Sequence, residues 1–151
     1  MLREAFTERL KEAMRAKDAR TLSTVRMILA ALKDRDIAAR GIGNAAGIPE
    51  PEIQRFLQGM IKQRRESIAL YRQGNRPELA EREEQEIAVI ESFLPKQMSE
   101  AEIGEATREA IAETGAAGVK DMGKVMGVLR ERHAGIIDMA RAGAVVKQLL
   151  G

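Results

Sequence analysis

The 151-residue chain contains no cysteine and no tryptophan, and its aromatics are one tyrosine and three phenylalanines. Without cysteine there is no disulfide framework and no thiolate metal site, so a cytosolic protein is expected. With so few rings, the core must be assembled from Leu, Ile, Val, Met and Ala. A single histidine, His133, leaves no imidazole pair for zinc, and no H-E-x-x-H or carboxylate-rich metal loop occurs. No metal and no cofactor are therefore expected. Charge of one sign is also missing: the formal net charge is only +2, so any polyanion would have to be met by a local patch. No apolar run approaches the ~20 residues of a membrane span, which argues against a membrane partner. The opening segment MLREAFTERLKEAM is interspersed with acids and does not read as a signal peptide.

What the chain does have is helix-forming material, with Ala, Leu, Met, Glu, Lys and Arg abundant. An all-α fold follows. Apolar residues recur at helical spacing. Leu2, Phe6, Leu10, Ala13 and Met14 mark a first helix that ends near Lys17-Asp18. Leu22, Val25, Ile28, Leu29 and Leu32 mark a second, restarting near Thr21 and running to about Ala39. The short tie between them predicts a helical hairpin. Arg40 to Pro51 is a loop rich in glycine and proline. A third helix carries Ile53, Leu57, Met60, Ile61, Ile68 and Tyr71. Gly74-Asn75 closes it, and Pro77 opens a fourth, acidic helix over 78–92. The basic third and acidic fourth helices should pack antiparallel with complementary flanks.

Phe93 to Met98 breaks the pattern, and Ser99 with Glu102 forms the S-x-x-E capping box. A domain boundary is expected here, giving an N-terminal domain of about four helices over 1–95 and a three-helix C-terminal module over 99–151. Within that module Met122, Val125, Met126 and Leu129 line one face of a helix that Asp121 is placed to cap. Gly123 and Gly127 lie four apart in it. Each costs roughly 1 kcal/mol against alanine, so a close approach by a neighbouring helix backbone, or by a ligand, is expected there. Asp138 should cap the last helix, whose buried side is Val145, Val146 and Leu149. Gly118, Gly123 and Lys124 satisfy most of a P-loop, but Val125 stands where a magnesium-binding hydroxyl is needed and helix precedes it, so a nucleotide site is rejected.

No nucleophile–base pair can be assembled from spacing. None of the serines lies in G-x-S-x-G, Ser99 is accounted for as a cap, and His133 suits the end of a helix dipole. Most of the methionines sit at apolar positions and read as core. Two basic groups remain as binding candidates. One is Lys62, Arg64 and Arg65, with Arg72 and Arg76. The other is Lys120, Lys124, Arg130 and Arg132, joined by Lys147. Against them stands the reading that both are solvated or ion-paired faces, which near-zero net charge favours.

Four strings carry a family resemblance. They are RTLSTVRMILAALKDRDI from Arg20 to Ile37, KQRRESI from Lys62 to Ile68, FLPKQ from Phe93 to Gln97, and KDMGKVMG from Lys120 to Gly127. In that order, over nearly the whole chain, they resemble the YqeY family. The C-terminal part of that family is similar to the tail of the B subunit of the tRNA-dependent amidotransferase. The resemblance implies an α-helical domain followed by a tail-like three-helix domain. It also implies a link to glutamine-dependent amidation of mischarged tRNA, a carbon–nitrogen ligase activity with glutamine as amide donor. The chemistry of that enzyme lies in domains that nothing here matches. The implied role is thus an accessory or tRNA-binding protein with tRNA as partner. Docking onto a larger amidotransferase or other protein is the alternative, and a free-standing enzyme is the least favoured reading. One departure is visible: the family's Gly-Arg-Ala-Asp before the last helix is Gly135-Ile136-Ile137-Asp138 here, so Ile136 replaces an arginine.

Overall fold

The computed structural model describes residues 1–151 and is all-helical. Its helices are α1 (Leu2–Ala16), α2 (Ala19–Gly41), α3 (Glu50–Gln73), α4 (Pro77–Glu91), α5 (Glu100–Thr114), α6 (Met122–Arg132) and α7 (Met139–Leu150). A 3-10 turn, Val119–Asp121, leads into α6. Two compact units result, Met1–Leu94 and Pro95–Gly151, each with its own apolar cluster.

In the first unit α1 pairs with α2, α3 pairs with α4, and α2 packs on α4. Lys17 turns the chain through the left-handed region at φ 55°, and the Asp18 carboxylate then accepts the Thr21 N–H at 3.2 Å, so α2 starts two residues before Thr21. Phe6, Val25, Ile28, Ile53, Leu57 and Ile90 are fully buried at the centre. Phe93 meets Phe6 edge-on, with centroids 4.8 Å apart.

The anticipated charge complementarity between α3 and α4 is realised as ion pairs. Arg65 pairs with Glu91, Arg72 with Glu84, and Arg64 with Glu86 at 3.0 Å. Arg64 differs from the sequence expectation. It lies on the buried side of α3, only 8 % exposed, donates to the Met60 carbonyl, and has Glu83 a further 3.8 Å away. Burial and the neighbouring Glu86 raise the carboxyl pKa of Glu83 above its ordinary value.

The loop between α2 and α3 is held by a buried acid. Asp36 on α2, 6 % exposed, accepts from both terminal guanidinium nitrogens of Arg3 at 2.5 and 3.0 Å and from the Ile48 N–H at 2.9 Å. Arg3 also donates to the Ile48 carbonyl at 2.7 Å. The Arg3 hydrogen bonds hold the Asp36 carboxyl below its usual pKa, against the opposing effect of burial. Gly47 makes the latch sterically feasible. Its φ is +84°, and a Cβ there would lie 2.4 Å from the Asp36 Oδ1. Gly47→Ala is therefore expected to destabilise this unit by about 2 kcal/mol, combining left-handed strain with a clash against a fixed carboxylate. Urea unfolding followed by circular dichroism checks it, and an unchanged midpoint would count against the latch.

Candidate nucleic-acid interface

The second unit is built by its caps. Ser99 and Glu102 form the reciprocal capping box at the start of α5. Gly115 ends that helix in the left-handed region at φ 67°. The Asp138 carboxylate accepts the Ala140 and Arg141 N–H groups at the start of α7. Asp121 behaves otherwise than expected. It stands at the cap position of α6 but makes no side-chain bond to that helix, and accepts instead from the Ala117 N–H at 3.0 Å. Its carboxylate thus closes the turn that delivers α6. Ile137 is buried, and the Ile136 carbonyl accepts the Met98 N–H at 2.9 Å, so the segment that departs from the family pattern is used in folding.

The inner face of α6 is Val125 and Leu129, fully buried, with Met122 and Met126 half-buried beside them. The outer face carries Gly123 and Gly127, both exposed. A Cβ at either would meet nothing within 4 Å. This corrects the expectation of a helix crossing at those glycines. The glycine that faces a neighbouring helix is Gly143 of α7, where a Cβ would lie 3.7 and 3.8 Å from the methyl groups of Met122 and Met126. Sequence periodicity misses it because one glycine among alanines and valines gives no repeating signal.

Around the outer face lie Lys120, Lys124 and Arg130, exposed and in no ion pair. Offsets of four and three place Gly123, Gly127 and Arg130 along one side of α6, Lys124 flanks them, and Lys120 lies in the 3-10 turn just ahead of the helix. Lys147 is also exposed and unpaired, one turn beyond Gly143 on the same side of α7. Arg132 does not join this set. Both its terminal nitrogens are engaged by Glu113 of α5, which raises the guanidinium pKa and lowers that of Glu113. In the first unit the basic group of α3 is largely neutralised. Arg64 is buried and Arg65 is paired, so neither is offered to a phosphate. Arg72 and Arg76 are paired as well, and Lys62 alone stays exposed without an ion pair.

The site is thus a flat helix surface with bare backbone at its centre and three free cations around it. No cluster of three or more His, Cys, Asp or Glu with metal-ligand geometry occurs, and no helix is long and apolar enough to cross a membrane. Gly118 follows a helix and a turn, not a strand.

The family model for Yqey-like proteins matches residues 3–150. The chain belongs to the YqeY family. Among curated proteins, this YqeY-family chain is similar to Altered inheritance of mitochondria protein 41, mitochondrial, of Lachancea thermotolerans. The two are 38% identical over 96 residues, 62% of this chain and 49% of that protein. The protein of the same name from Vanderwaltozyma polyspora is 35% identical over 85 residues, 56% of this chain and 44% of its own length. An uncharacterized protein of Schizosaccharomyces pombe is 24% identical over 98 residues, 65% and 76% of the two chains. The matches span about half the length of the first two relatives. These names overturn the cytosolic expectation, since four of the similar proteins are named mitochondrial. The physical reason is that a lack of cysteine excludes disulfides but does not separate one reducing compartment from another.

Proposed function

We propose that this chain is a tRNA-associated accessory protein linked to glutamine-dependent tRNA amidation, with no reaction centre of its own, and that the outer face of α6 grips the RNA backbone. The observation that carries the reading is the pair Gly123 and Gly127. Two glycines in a short, exposed helix face lower its stability, and nothing inside the molecule requires them. A bare helix backbone allows a sugar–phosphate strand to approach closely, and Lys120, Lys124 and Arg130 supply the phosphate contacts. The buried phenylalanines Phe6 and Phe56 offer no stacking platform, which suits a structured RNA met by shape. On this reading the carbon–nitrogen ligase activity belongs to a larger enzyme that this protein assists. Amide formation from glutamine and a charged tRNA by the purified chain alone would overturn that part.

The test separates stability from binding. Gly123→Ala with Gly127→Ala is expected to raise the stability of the second unit by about 1–2 kcal/mol, since each replaces glycine in an open helical position. The same variant should weaken tRNA binding in a filter assay. Lys120→Ala with Lys124→Ala should weaken it too, and should flatten the plot of log K against log salt by about 0.7–0.9 for each phosphate left without its cation. Binding that is absent at low salt, or unchanged by both variants, defeats the proposal.

A further inference from the structure

An open groove of about 870 Å³ runs along the first unit between α2 and α3. The two helices both pack on α4, but do not pack closely on one another along this side. We propose that the groove takes an amphipathic helix of a partner protein whose apolar stripe is flanked on both sides by acidic residues. The groove belongs to the first unit alone, and its occupancy is independent of whether α6 binds RNA.

Four observations lead to this occupant. The floor is apolar, formed by Ile48, Phe56 and Met60, and Ile42 at its end is 89 % exposed. Cationic groups come from both helices: Arg35 from α2, its guanidinium lying over the Phe56 ring at 5.0 Å from the centroid, and Arg55 from α3. Neither is in an ion pair, and Glu52 is the single acid on the lining. Gly59 stands mid-way along α3 on the groove wall, where a Cβ would meet nothing within 4 Å. A glycine there costs α3 stability and leaves room for another backbone to come close. Finally, Ile48 is fixed at both its N–H and its carbonyl by the Asp36–Arg3 latch, so one end of the groove is set in advance.

These features choose the occupant. An apolar floor in a helix-lined groove suits the i, i+3, i+4, i+7 anchors of an amphipathic helix. Cations from both helices ask for carboxylates on both flanks of that stripe, which also turns away basic helices. A nucleic-acid strand would have to lay its phosphates across the apolar floor and past Glu52.

The probe is a fluorescein-labelled helical peptide of about 18 residues, about five turns, with leucines at those anchor positions and glutamates on both flanks. A matched peptide carries lysines in place of the glutamates. Anisotropy titrations use the full chain. The glutamate peptide should bind at least about tenfold tighter than the lysine peptide, the scale expected when two attractive charge pairs replace two repulsive ones. Arg35→Glu with Arg55→Glu should reverse the preference. Gly59→Leu, whose Cβ would meet nothing within 4 Å and which improves helix propensity, should abolish binding while leaving the melting temperature unchanged or higher. No binding of the glutamate peptide, equal affinity for both peptides, or a preference that survives the charge reversal overturns the proposal. So does concentration-dependent self-association of the chain that Gly59→Leu removes, because the occupant would then be a second copy.

Discussion

Asp36→Ala is expected to lower the stability of the first unit by about 3 kcal/mol. Removing one partner of a buried ion pair costs about 3–5 kcal/mol when the other is left uncompensated. Here Arg3 is partly exposed, with its side chain 36% accessible, so the lower end applies. The variant also strands the Ile48 N–H and releases the loop ahead of α3. The measurement is native-state amide exchange at Val25 and Ile28, whose slowest exchange reports unfolding of the unit. A loss below about 1 kcal/mol would show the latch to be ornamental. The latch also sets a pH dependence. The folded Asp36 pKa lies below its unfolded value of about 3.9, so between the two values the unfolded chain binds more protons. Its stabilisation is complete above about pH 4 and is lost as pH falls through the folded value. Asp36→Asn should flatten that acid limb of the stability curve.

Leu129→Ala is expected to remove most of the stability of the second unit. Leu129 is 1 % exposed at the centre of a cluster with Ile103, Ala110, Val125 and Val146. Leucine-to-alanine changes at such sites cost about 2–5 kcal/mol. At roughly 0.05–0.15 kcal/mol per residue, a unit running from Pro95 to Gly151 has little more than that in hand. Two-dimensional amide spectra should therefore show collapse of the resonances of α5 to α7. Those of the first unit, whose apolar cluster shares no residue with this one, should persist. Retention of a sharp, dispersed spectrum for the second unit would contradict the assignment of its core.

The helices are legible in the sequence because apolar residues recur on one side of each and because the breakers are strong. Ser99 with Glu102, Asp138, Pro77 and Gly115 act where their chemistry predicts. Met14 and Leu149, expected on the apolar faces of their helices, are 55 % and 40 % exposed, and the departures among charged residues share a cause. Arg64 lies three residues after Ile61 and four before Ile68, squarely on the buried stripe, yet its charge suggests solvent. A long aliphatic stem and two carboxylates on the neighbouring helix let it go inside. Asp36 likewise follows Leu32 by one turn on the buried side of α2. Its partner Arg3 is 33 residues away, a pairing that no local pattern displays. Asp121 eludes a local reading because a cap and a turn closure use the same residue type. Of the proposed RNA contacts, Lys120, Lys124, Arg130 and Lys147 lie exposed and unpaired, whereas Arg64, Arg65 and Arg132 are engaged by acids from neighbouring helices. Sequence alone cannot tell these apart, since the distinction depends on tertiary neighbours.

The shortness of α6 ties its surface to its fold. A helix of 11 residues with two glycines has almost no tendency to exist by itself. It is helical because Met122, Val125, Met126 and Leu129 are held against the rest of its unit. A ligand on its outer side therefore meets its surface only in the folded population, and mass action makes each bound molecule a brace for the fold, worth about 2.7 kcal/mol at a hundredfold excess over Kd. Occupancy outside and order inside become a single equilibrium.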